Sequence, residues 1–135
     1  MKSYIVTAIW GLFIWLFATL FFVFFGDRVL FPPGTEEFMI SLLLLLIGTA
    51  LLLWLVTYLY LLVDKSENAA IKFGIIGTML GLALDTFSLA NHQLLFPKLS
   101  YQQVIAFTAW LTFAYAIYLF IPAIMNLQKR KALKP

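Results

Sequence analysis

Residues 69–92 read AAIKFGIIGTMLGLALDTFSLANH and decide how the rest of the chain is understood. As a helix rising 1.5 Å per residue this stretch is about 36 Å long, enough to cross a hydrocarbon core about 30 Å thick. It carries two formal charges, Lys72 near its start and Asp85 well inside. Wound at 100° per residue, Ala70, Gly74, Gly77, Gly81, Asp85, Ser88 and His92 fall within an arc of about 80°. One face is therefore small, then polar, and the other faces are Ile, Leu, Phe and Met. Gly77 and Gly81 make a G-x-x-x-G pair, which with Gly74 lets another helix approach closely.

Asp85 sits about 10 Å from the end of this span. A carboxylate at such depth costs roughly 2.5–3.5 kcal/mol or more in lipid. The spacing therefore predicts a hydrogen-bonded Asp85 turned into a bundle. Candidate partners come from residues 101–127, where Thr108, Thr112, Tyr115, Pro122 and Asn126 share one helical arc. By depth, Thr108 or Thr112 is expected to bond Asp85, with Thr19 at a similar level. Ser88 and His92 continue the stripe outward. They read either as a polar relay with Asp85 or as a structural Asp beside an interfacial His. A Ser-His-Asp hydrolase is excluded, because that arrangement needs His between Ser and Asp.

Composition extends this reading to the whole chain. Of 135 residues, 64% are hydrophobic and 11% charged, and the mean hydropathy is +1.00. A soluble domain carries about 25% charged residues, so lipid is the expected solvent. There is no Cys and one His, which removes disulfides and thiolate chemistry. No metal site or cofactor is expected, since haem and zinc sites need several such ligands. The net charge of +3 does not point to nucleic acid, because the positives lie at chain ends and loops.

Three further spans are expected at 4–25, 38–63 and 101–127. Gly26 reads as the first C-cap, Thr35 as the second N-cap, and Ser100 with Gln103 as a capping box opening the fourth. Tyr58 and Tyr60 suggest an interfacial belt, and Pro122 a kink. The fold class is all-α: an integral membrane bundle of four transmembrane helices, up-down-up-down, in a single domain over 1–135. Lys2, Lys65, Lys72, Lys129, Arg130, Lys131 and Lys134 fall on one side, Arg28 and Lys98 on the other. That asymmetry places both termini in the cytoplasm. The basic tail, Lys129, Arg130, Lys131 and Lys134, suits anionic lipid or a stop-transfer flank. Phe31-Pro32 and Phe96-Pro97 precede Thr35 and Ser100 at matching offsets. The pattern fits a duplication of two hairpins, or a repeated need for a helix start.

The run GTMLGLALDTFSLANHQLLFPKLS, followed by AWLTFAYAIYLF, resembles a family of small uncharacterised bacterial membrane proteins, a domain-of-unknown-function family. The matching positions are Met79, Leu80, Leu84, Asp85, Thr86, Phe87, Phe96, Pro97, Trp110, Ala114, Tyr115 and Ala116. The resemblance implies four helices in a bacterial inner membrane and brings no activity. Small multidrug-resistance exporters resemble the chain in size and span count. They carry an acid in the first helix, and none stands at 4–25 here.

The functional expectation is a non-enzymatic structural or accessory subunit with a polar seam around Asp85. Its partners are the lipid bilayer and either a second copy or another membrane protein. The alternative is a small proton-coupled transporter using Asp85. An enzyme is disfavoured, because few polar groups converge.

Overall fold

The computed structural model describes residues 2–133, with side chains at 4–128. The basic side chains of Lys129, Arg130, Lys131 and Lys134, assigned above to lipid headgroups, lie outside the described residues. The helices are α1 (Lys2–Val29), α2 (Glu36–Val63), α3 (Ala69–Ala90), a single turn α4 (His92–Leu95) and α5 (Tyr101–Leu133). The fold is all-helical, and four of the helices are long and apolar enough to cross a membrane.

Helix ends follow side-chain chemistry. Thr35 caps α2 by accepting from the Phe38 amide at 3.1 Å, with Glu36 and Glu37 against the positive end of the helix dipole. Ser100 and Gln103 form the expected capping box, each backbone amide donating to the other's side chain at 2.9 and 3.2 Å. Gln103 Nε2 also donates to the Asp27 and Leu30 carbonyls, both at 3.1 Å. One side chain thus opens α5 and closes α1, so the α1–α2 loop and the start of α5 share an end of the bundle. Thr7 with Tyr60, Lys72 with Tyr4, and Asn126 with Asn68 fix the opposite end. The four long helices alternate in direction.

Three expectations need correction here. The first helix does not stop at Gly26 but runs to Val29. Gly26 is a contact glycine: a Cβ there would lie 3.1 Å from the Leu99 side chain. Tyr60 is not an interfacial residue, being wholly buried, whereas Tyr58 is exposed. The third span ends at Ala90, because Asn91 leaves helical geometry and His92 begins the separate turn α4.

α3 is the central element, packed along its length on α1 and α5, while α2 packs mainly on α5. Buried residues run down α3 at the predicted spacing. α2 turns half of its leucines outward. Two apolar clusters fill the interior. One joins Phe22, Phe96, Phe107 and Trp110 near the capped end, and the other Leu53, Tyr60, Phe73 and Tyr118 near the α2–α3 turn. α1 and α2 meet poorly: at Gly48 an added Cβ would touch nothing within 4 Å. A groove remains between them, floored by Trp110.

Candidate functional site

The small-residue stripe of α3 is a mould for side chains from α5. A Cβ on Gly77 would overlap the Tyr118 hydroxyl, and one on Gly81 would lie 2.6 Å from the Tyr115 hydroxyl. Both tyrosine rings therefore lie where α3 has no side chain. At Gly74 the contact is with backbone instead, a Cβ there falling 2.9 Å from the Tyr118 carbonyl. Pro122 lacks the N–H that would bond this carbonyl within α5, so proline and glycine act on one contact. On its other flank α3 meets α1, where a Cβ on Gly11 would lie 3.0 Å from the Gly77 Cα.

Asp85 is 5% exposed and joins three helices. Its Oδ1 accepts from Trp15 Nε1 of α1 at 2.9 Å. Its Oδ2 accepts a short bond from the Tyr115 hydroxyl of α5. Both donors are neutral. The geometry explains why Tyr115 reaches this far: Gly81, one turn before Asp85, leaves the slot that its ring occupies.

Thr108 and Thr112 do not bond Asp85, contrary to expectation. Thr108 donates to the Val104 carbonyl and Thr112 to the Ala109 carbonyl, both at 2.9 Å. A helical threonine satisfies itself on the preceding turn, and Thr112 faces outward. Equal depth was the wrong criterion, because a tyrosine spans more than a helical turn and a threonine cannot. Ser88 is buried but donates to the Leu84 carbonyl at 3.1 Å. No hydrogen bond among the described residues links Asp85, Ser88 and His92, and the half-buried His92 stands beyond the break at Asn91. Thr19 lines the space beside Asp85 without bonding it.

Trp15 was the partner missed. The signal was present: Thr7, Gly11, Trp15 and Ala18 recur at helical spacing on α1. The indole N–H of a tryptophan on that face requires an acceptor when buried.

A second polar cluster closes the other end. Tyr60 donates to Asp64 Oδ2 and lies 2.6 Å from the Thr7 hydroxyl. Lys72 Nζ pairs with Asp64 at 2.7 Å and lies over the Tyr4 ring. Ser66 donates to Asp64 Oδ1 through its amide at 3.0 Å and its hydroxyl at 2.6 Å. Burial pushes the Asp64 carboxyl up, but the bonds from Lys72, Ser66 and Tyr60 outweigh it and hold it well below the usual carboxylate range. Asn126 Nδ2 donates to Asn68 Oδ1 at 3.2 Å, across the turn where Asn68 adopts φ 58°.

Beside Asp85 lies a cavity of about 70 Å³ lined from all four long helices. Its wall is apolar and aromatic, with Trp15, Phe107, Trp110, Tyr115 and Tyr118 around the single acid. Ala18, Thr49, Leu52 and Trp110 also line the α1–α2 groove, so groove and cavity adjoin.

Residues 31–129 match the model of a family of unknown function, DUF5367. The chain is also similar to the uncharacterised protein YnzE of Bacillus subtilis (strain 168). The two are 50% identical over 101 residues, covering 75% of this chain and all of the relative. No solved structure matches.

Proposed function

The chain belongs to the DUF5367 family of unknown function, and on that premise we propose that it is a multi-pass protein of the bacterial cell membrane with both termini in the cytoplasm. It works there as a non-enzymatic structural or accessory subunit, held in one arrangement by the seam around Asp85. The observation that carries this reading is the use of both Asp85 oxygens by neutral donors from two other helices. A carboxylate placed to load and release protons would be expected to face water. This one has each oxygen bonded and lies among largely apolar walls. The basic tail faces the cytoplasm and engages anionic headgroups.

The chain lacks cysteine, so single cysteines report topology without background. With Ser66→Cys and Lys98→Cys forms in intact cells, a membrane-impermeant maleimide labels position 98 and leaves position 66 unlabelled. The opposite pattern reverses the orientation, and labelling of both contradicts the spans. An accessory subunit retains its copurifying partners when Asp85→Asn is introduced. Loss of a pH-driven flux in Asp85→Asn vesicles, with the fold intact, would favour the carrier instead.

A further inference from the structure

The fastening role leaves part of Asp85 unused. A carboxylate offers about four lone-pair positions, and Trp15 and Tyr115 take two. Neither donor carries positive charge, and the ion pair among the described residues, Lys72–Asp64, is at the far end of α3. Asp85 nevertheless lines a cavity whose other walls are aromatic and apolar side chains with Thr19 and Thr49. A second group in that wall is also unused. Tyr118 is 5% exposed and its hydroxyl has no hydrogen-bond partner among the described residues. It lies against Gly77, itself a lining residue. Buried hydroxyls without partners are uncommon, and each calls for an explanation such as an unseen ligand or water.

A buried acid, several aromatic rings and an orphan hydroxyl around one space define a ligand chemistry. Positive charge is drawn both to the carboxylate and to aromatic faces, the latter by about 2 kcal/mol when desolvated. The apolar wall selects a hydrocarbon body. Entry is from the side, because α1 and α2 leave a groove at Gly48 that adjoins the cavity at Ala18 and Thr49. We propose that this cavity and the adjoining groove, about 70 and 310 Å³, together bind a small lipophilic organic cation, an amine or quaternary ammonium seated toward Asp85 with its apolar or aromatic body in the groove. It enters between α1 and α2 and is held by Asp85 with the surrounding rings. This inference concerns the free side of the carboxylate and stands whether or not the protein is an accessory subunit.

The test uses the full chain in nanodiscs and benzyltrimethylammonium as the probe. Its neutral isostere neopentylbenzene, with carbon in place of nitrogen, is the control. Equilibrium dialysis measures binding above that of empty discs, and the Trp15 indole N–H signal in two-dimensional NMR reports the site. Saturable binding of the cation at least tenfold tighter than the isostere, with movement of the Trp15 signal, supports the proposal. Asp85→Asn is expected to weaken cation binding at least tenfold and to leave isostere binding unchanged. Should that variant fail to fold, Ala18→Phe fills the space where cavity and groove meet, both lined by Ala18, while keeping both Asp85 donors, and must also weaken binding severalfold. Equal binding of cation and isostere, absence of saturation, or full affinity in Ala18→Phe would overturn it. So would a site filled by water alone, seen as an unmoved Trp15 signal at saturating probe.

Discussion

The protein holds two aspartates at the two ends of one seam, and they are satisfied in opposite ways. Asp64 closes α2 beside a turn, and it has a lysine, a serine hydroxyl, a backbone amide and a tyrosine. Asp85 lies inside α3 with an indole and a phenol. The first is a charge at a helix end compensated by several donors, so the loss of one leaves the others in place. The second is an acid in an apolar interior with no cation beside it, so its stability rests on two hydrogen bonds. Removing a partner should therefore cost little at Asp64 and much at Asp85.

The largest expected effect comes from Asp85→Ala. Two buried donors lose their acceptor at once, each worth roughly 1–3 kcal/mol, so a destabilisation of about 3 kcal/mol is expected in reversible unfolding with mixed detergent and dodecyl sulfate. Next is Tyr115→Phe, which leaves the carboxylate with Trp15 alone and costs about 2 kcal/mol by the same measurement. A loss of about 1 kcal/mol or less would place Asp85 in the same class as Asp64.

At the other end, Lys72→Met is expected to cost about 1 kcal/mol, near the upper range for a partly exposed pair. Its pH signature is more specific than its size. The folded Asp64 carboxyl titrates below its usual range. Its contribution is therefore present above the unfolded value, about 3.9, and is lost as pH falls through the folded one. Stability measured from pH 7 downward should fall less steeply in Lys72→Met than in the parent chain. The smallest expected effect is Ser66→Ala, about 0.5 kcal/mol, because the Ser66 amide still donates to Asp64. A thermal scan resolving a large drop there would mean that the turn, and not the ion pair, holds that end.

The same contrast explains what was legible in the sequence. Features set by one helix were readable. The α3 stripe as far as Ser88, the Thr35 cap and the Ser100–Gln103 box depend on spacing within a few residues, and all are present. Features requiring two helices were readable only in part. The α5 face was identified through Tyr115, Pro122 and Asn126, but Tyr118 was not, although its ring fills the space over Gly77. The partner of Asp85 was sought among threonines at matching depth. The answer depended on side-chain length and on a slot opened by a glycine one turn away. Gly26 shows the same failure in reverse, since a glycine that ends a helix and one that admits Leu99 look alike until the neighbour is placed.

The central claim is that Trp15 and Tyr115 act on one group, tying α1 and α5 to α3 through Asp85. A double-mutant cycle tests it most directly, with unfolding free energies for Tyr115→Phe, Asp85→Leu and the double variant. If Tyr115 acts through Asp85, the double variant is about as stable as Asp85→Leu alone, with a coupling of about 1–3 kcal/mol. If the two losses instead add within about 0.5 kcal/mol, Tyr115 and Asp85 stabilise the bundle independently and the account of the seam is wrong.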